Sequence, residues 1–303
     1  MSDSPASTKA AKPPTLEPRS VRVPAADGLS LHMLEWSTEG VPFLFVHGFS
    51  NEAHIWDDFV PALAPYYGVR ALDWRGHGDS DWHPDGAYDW DDHVRDLEAV
   101  VDHLGWERFV LCGHSLGGRV SLLFAGAHPE KLAGLVVVDT GPEHDPRGQV
   151  RIRMDTEAHP DPTFASAAEY EAMLAHQYIA ATSSAIKRMA KHGLRARDDG
   201  RFELKMDPKL RDFGRAKLAD DEIERRDREL TERLWKACET VSCPVLVVRG
   251  AASDILSPDT ADRMEEVIAN GSLAVIARAS HSVMTDNPDA FGKALAAFAL
   301  GAD

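Results

Sequence analysis

Arg108-Phe109-Val110-Leu111-Cys112-Gly113-His114-Ser115-Leu116-Gly117-Gly118-Arg119 is the stretch that decides the fold. Arg108 to Cys112 is apolar and β-prone, and reads as a buried strand. From Arg119 to Gly126 the apolar residues fall at helical spacing, and His128-Pro129 ends the run. The order is therefore strand, sharp turn, helix, with Ser115 at the apex. Small residues on both sides let the backbone turn tightly enough to push the serine hydroxyl clear of the sheet. A lone G-x-S-x-G is also an ordinary glycine-rich turn; the flanking strand and helix argue for a nucleophile.

Such a serine needs a base and an acid, and the chain supplies both. Pro244-Val245-Leu246-Val247-Val248-Arg249-Gly250 reads as a buried strand, and Ala251-Ala252-Ser253-Asp254 puts a carboxylate just past its end. A further strand, Ser272-Leu273-Ala274-Val275-Ile276, is followed by Ala279-Ser280-His281. In this reading His281 takes the Ser115 proton, while Asp254 holds the imidazole in the right tautomer and stabilises its charged form. Taken alone, Asp254 is a turn cap and His281 a surface histidine. Their order along the chain is what joins them.

Phe43-Leu44-Phe45-Val46-His47-Gly48-Phe49 is a buried strand ending in His-Gly. A developing alkoxide requires fixed N–H donors, and losing one typically costs about 3–4 kcal/mol of barrier. The backbone amides of Phe49 and of Leu116, the residue after the nucleophile, are the expected oxyanion-hole donors. His47 is expected to buttress that loop, since His281 already fills the role of base.

Together these segments resemble the α/β-hydrolase superfamily, and the resemblance runs from about residue 20 to the C-terminus. Asp73-Trp74-Arg75-Gly76-His77-Gly78-Asp79-Ser80 matches the family's D-x-R-G-x-G-x-S turn. The order Ser115, Asp254, His281 is the family's order. Some relatives place the acid one strand earlier, where Asp139 follows Leu135-Val136-Val137-Val138. The turn Gly250 to Asp254 resembles the family's in its glycine-to-aspartate spacing, and this resemblance favours Asp254. One departure stands in the loop before the histidine, usually glycine-rich, which here reads Arg278-Ala279-Ser280-His281. The resemblance implies an α/β-hydrolase fold: a mostly parallel eight-stranded sheet, helices on both faces, and a helical lid inserted over the site.

The hydropathy pattern fits that plan. Strands are expected at about 20–25, 29–36, 43–46, 69–73, 108–112, 134–138, 244–249 and 272–277. Helices are expected at 93–104, 116–127, 257–269 and 286–299. Alternating strand and helix implies a parallel sheet covered on both faces, with an antiparallel start. Between Val138 and Val245 the strand pattern stops, and Ser166–Lys191 and Asp220–Ala237 look helical. Residues 19–141 and 241–303 are thus the expected core, 142–240 the lid, and 1–18, rich in Ser, Ala, Pro and Lys, a disordered tail.

Composition narrows the function. A chain of 303 residues can bury a large core. Its net charge of −16 argues against nucleic acid and anionic membrane surfaces as partners. Cys112, Cys238 and Cys243 form neither a disulfide framework nor a metal-ligand spacing. No run approaches membrane-spanning length and the N-terminus lacks a signal core, so the expected compartment is the cytoplasm. Residues 142–240 hold 19 Lys and Arg against 20 Asp and Glu; the remainder holds 14 against 29. The insertion thus carries more than half of the cations. Solvated helical faces account for most of them, with one or two lid arginines reaching the pocket as the sharper alternative.

Arg119 lies four residues after the nucleophile. Gly113 to Arg119 resembles the elbows of two enzyme families, succinyl-cyclohexadiene carboxylate synthases and 2-(acetamidomethylene)succinate hydrolases. In the first, that arginine contacts a substrate carboxylate. Arg119 is therefore a candidate for binding an anionic substrate, with a structural ion pair as the equal alternative. The acidic stretch Asp79 to Asp92 with His77, His83 and His93 lacks metal-site spacing and reads as a solvated loop. Trp56, Trp74, Trp82 and Trp90 are pocket or core residues. The expected activity is that of a serine hydrolase cleaving a small carboxylic ester through an acyl-enzyme, without metal or organic cofactor. Rival readings are hydrolysis of C–C or enamide bonds in small dicarboxylates, and a slow-turnover receptor of the same fold. A small molecule is the expected partner, and a homodimer is allowed.

Overall fold

The computed structural model describes residues 16–148, 150–151, 154, 163–212 and 218–301. Most of the tail expected at 1–18 lies outside these residues; the first strand begins at Arg19. Eight strands form one sheet in the order β1-β2-β4-β3-β5-β6-β10-β11. They are β1 Arg19–Pro24, β2 Ser30–Glu35, β3 Val41–Val46, β4 Tyr67–Leu72, β5 Phe109–His114, β6 Leu132–Val138, β10 Val245–Gly250 and β11 Gly271–Ile276. The pairs β1/β2 and β2/β4 are antiparallel and every other pair is parallel. This is the mostly parallel sheet with an antiparallel start that the pattern predicts. The central strands β5 and β10 are buried along their whole length. Unbroken apolar runs, not alternation, are what a sheet covered on both faces requires.

Two hydrophobic clusters lie on the two faces. One packs the helices Trp90–His103, Leu116–Ala127 and Pro258–Val267 through Leu97, Val120, Phe124 and Met264. The other packs the helix Pro288–Leu300 through Phe291 and Leu295 against Phe43, Phe45 and Trp56. The helix Asp220–Thr240 lies within the expected insertion, yet its second half packs on the core through Leu230, Leu234 and Ala237. Gly126 permits this approach: a Cβ there would lie 2.9 Å from Ala237 Cβ.

The insertion follows β6, as expected, but it is not free of strands. Three short ones, β7 Thr163–Phe164, β8 Leu194–Ala196 and β9 Phe202–Leu204, pair antiparallel as a small sheet. The expected helix Ser166–Lys191 is two, Ala167–Gln177 and Ser183–His192, each capped by a side-chain hydroxyl from Ser166 or Thr182. Among the described residues no helix is long and apolar enough to cross a membrane.

Candidate active site

Parallel strands deliver their C-terminal ends to one edge of the sheet, where ligands bind in such folds. Ser115 follows β5, Asp139 follows β6, and His281 follows β11. Ser115 holds φ 53° and ψ −113°, a strained turn for a non-glycine residue. Its neighbours must be glycine. A Cβ on Gly113 would fall 2.4 Å from the Gly117 carbonyl oxygen, and one on Gly117 would fall 2.6 Å from that of His47. The strand-turn-helix reading of this stretch thus has a steric cause.

Nε2 of His281 lies 3.0 Å from Ser115 Oγ, and its Nδ1 lies 2.8 Å from Asp139 Oδ2. The carboxylate beside the imidazole is therefore Asp139, not Asp254. Asp139 is fully buried and takes two more hydrogen bonds, from Gly250 N at 2.7 Å and Ser253 Oγ at 2.6 Å. Asp254 is paired instead with Arg151, whose Nε and Nη2 donate to its two oxygens at 2.6 and 2.9 Å. That pairing, ahead of the opposing effect of burial, holds the Asp254 carboxyl below its usual range. The physical reason for the difference is register. The turn after β10 aims Ser253 inward at Asp139 and leaves Asp254 on the cavity wall.

The loop before His281 contains no glycine, but Arg278 adopts φ 55°. It supplies the left-handed backbone that glycine usually provides, at a cost of about 1–2 kcal/mol. His114 steadies the far side: its Nε2 donates to the His281 carbonyl at 3.0 Å, and the two rings are 4.7 Å apart. Burial holds His114 neutral, well below the usual histidine range.

The loop after β3 abuts the serine. A Cβ on Gly48 would lie 3.0 Å from Ser115 Cβ. Phe49 lines the cavity, and Leu116 opens the helix after Ser115. The first amides of a helix have no partner within it. His47 is fully buried: Nδ1 donates to Gly48 O at 2.8 Å and Nε2 accepts from Trp74 N at 3.2 Å. It is a strut for this loop, and burial first of all holds it neutral.

A cavity of about 450 Å³ opens above Ser115. Its walls are largely apolar, with Tyr170, Met173, Leu174, Tyr178 and Met206 contributed by the insertion. Among the described residues, Arg151 and Arg211 are the insertion arginines that line it. Arg119, the candidate carboxylate binder, is not on that surface. It is buried, donating through Nε to Gly141 O at 2.9 Å and through Nη2 to Pro142 O at 3.2 Å. One turn into the helix, its side chain reaches the segment after β6 rather than the cleft. None of the four tryptophans lines the cavity: Trp56 and Trp74 are core, while Trp82 and Trp90 lie under Arg195 and Arg119. In the acidic loop, Asp79 pairs with Lys205 and Asp81 with Arg22.

Asp139 is the alternative acid that the sequence offered beside Asp254, since both follow a buried strand. No pattern singled out Ser253, His114, Arg151 or Arg211.

A family model described as the alpha/beta hydrolase fold matches residues 41–288. An esterase of Mycobacterium tuberculosis is 27% identical over 274 residues, covering 86% of this chain and 83% of its own. A 2-(acetamidomethylene)succinate hydrolase of Mesorhizobium japonicum is 26% identical over 261 residues, covering 86% and 88%. The crystal structure of an E-2-(acetamidomethylene)succinate hydrolase superposes with a TM-score of 0.81 at 25% identity, over 94% of this chain and 100% of that one.

Proposed function

We propose, from the premise that this chain belongs to the α/β-hydrolase family, that it is a serine hydrolase of small carboxylic esters acting through Ser115, His281 and Asp139. The observation that carries this reading is the bridging of His281 between Ser115 Oγ and Asp139 Oδ2 at 3.0 and 2.8 Å. Both distances are within hydrogen-bond reach, as nucleophile, base and orienting acid require.

In the proposed reaction Ser115 Oγ attacks the ester carbonyl as His281 Nε2 takes its proton. Asp139 accepts Nδ1–H and stabilises the imidazolium without itself being protonated. The amides of Phe49 and Leu116 receive the oxyanion. The tetrahedral adduct collapses to an acyl-enzyme as the imidazolium protonates the departing alcohol. Water, deprotonated by His281, then releases the acid and restores Ser115. The apolar cavity favours a small ester with an apolar arm, and the insertion serves as the lid that shapes it.

A second reading, hydrolysis of an enamide or C–C bond in a small dicarboxylate, is favoured by the relatives named 2-(acetamidomethylene)succinate hydrolase. A receptor with slow turnover is the reading from another class.

Fluorophosphonate labelling followed by p-nitrophenyl ester hydrolysis tests the proposal. Wild type should label and turn over. Ser115→Ala should do neither while staying folded, with a loss on the order of a million-fold if the triad acts as a unit. Labelling without turnover would support the receptor, and labelling of another serine in Ser115→Ala would move the nucleophile.

A further inference from the structure

The turn after β10 reaches the site in a way its sequence does not announce. Ser253 is buried, and its Oγ accepts from Ile255 N and Leu256 N, each at 3.1 Å. With both lone-pair directions taken, the hydroxyl has one proton and one acceptor for it, Asp139 Oδ2 at 2.6 Å. That oxygen is the one facing His281 Nδ1. The other, Oδ1, is held by Gly250 N at 2.7 Å. Two of the three groups gripping this buried carboxylate therefore come from the β10 turn. Gly250 can occupy no other residue type, since a Cβ there would lie 2.0 Å from Ser280 O.

We propose that Ser253 is a positioning residue for the hydrolysis: its hydroxyl fixes Asp139 Oδ2 toward His281 Nδ1 and shares the negative charge of that oxygen. The inference rests on the reading of Ser115, His281 and Asp139 as the reacting set. It assigns a role to the turn that carries Asp254, in which Ser253 supports an acid supplied by the neighbouring strand. A carboxylate oxygen that loses a donor concentrates its charge and grips an imidazolium more tightly. Without the Ser253 proton, His281 should therefore release its own proton at higher pH. A serine that merely staples the turn would have no such effect.

The test is steady-state hydrolysis of p-nitrophenyl acetate by wild type, Ser253→Ala, Ser253→Cys, Ser253→Thr and Asp139→Asn, from about pH 5.5 to 8.5. Loss of a charge-assisted hydrogen bond should lower kcat about ten- to a hundred-fold in Ser253→Ala with KM little changed. The rising acid limb of kcat/KM should move to higher pH. Ser253→Cys, close in shape but a weak donor, should fall between, and Ser253→Thr should restore both kcat and the limb. His114, His144 and Asp254, the titratable groups that act on His281 besides Asp139, are substituted in none of the Ser253 variants, so they do not account for a shift among them. If Ser253→Ala fails to fold, the contrast between Thr and Cys decides alone. An unmoved acid limb in Ala and Cys overturns the inference while leaving the triad standing. Retained turnover in Asp139→Asn overturns the triad reading itself.

Discussion

Asp139 is held at three points: by Gly250 N, by Ser253 Oγ, and by the imidazole it orients. An asparagine there would keep the shape, but its amide would favour the wrong imidazole tautomer. Asp139→Asn should therefore lower kcat by roughly ten-thousand-fold, the loss seen when a triad aspartate becomes an amide. Asp254→Asn removes only a partly exposed pair with Arg151 and should cost about tenfold or less. Turnover of both variants against one ester settles the ranking; the reverse order would return the acid to Asp254. Arg119 carries a matching prediction. Because its guanidinium ties the Leu116–Ala127 helix to the Gly141 and Pro142 carbonyls, Arg119→Ala should lower thermal stability by about 1–3 kcal/mol. It should impair matched acid and methyl-ester substrates alike. Selective loss on the acid would restore the anion-binding role. The turn at Ser115 was legible because the glycines around it leave a sterically constrained trace in sequence, whereas His281 was read only from its order along the chain. Asp139 and Asp254 were not separable that way, because both follow a buried strand and only side-chain direction tells them apart.

Elements were legible where they are long. All eight strands of the main sheet and the helix Leu116–Ala127 follow from apolar runs and glycine or proline boundaries. The sheet in the insertion was not, since strands of two or three residues are too short for alternation to register. What docks the insertion is also invisible to periodicity. Arg188, on the helix Ser183–His192, makes a forked pair with Asp58 of the core at 2.8 and 2.7 Å. Beside it, His192 stacks on His54 with ring centroids 3.6 Å apart. These contacts fix the inserted helix over the core near the cavity. Arg188→Ala should raise KM several-fold and hasten proteolytic cleavage within 163–212, with kcat changed less, because the reacting atoms are untouched. Asp58→Asn should reproduce the effect, and their double variant should add little to either. Unaltered KM and protease resistance in both would mean that the pair is incidental.

Over the whole molecule, burial has put an unusual set of histidines under one constraint. His47, His77, His93, His114 and His144 are all pushed below the ordinary histidine range, in each case first by burial. His77 falls to about 3, and half-buried His192 to about 4. The unfolded chain takes up protons at these sites near pH 6.5, while the folded chain resists until far lower. Between those limits the unfolded state binds more protons at these histidines, so their contribution to folding stability rises with pH, against the raised carboxyls of Glu52 and Asp96, which act the other way. The histidine contribution is fully present above about pH 6.5 and is lost as the pH falls below that value. Asp73, with a lowered carboxyl, adds its own loss only nearer pH 4. His93 isolates the effect: it is fully buried against Trp74, and neither ring nitrogen has a hydrogen-bond partner among the described residues. His93→Phe keeps an aromatic ring there and removes one titrating site. Urea unfolding at about pH 7.5 and 5.5 should show wild type losing stability on acidification. His93→Phe should be about as stable as wild type at the higher pH. At the lower pH it should lose less, by up to about 1.4 kcal/mol for each unit traversed below pH 6.5. Parallel losses in the two proteins would mean that His93 takes up its proton in the fold as readily as in the open chain.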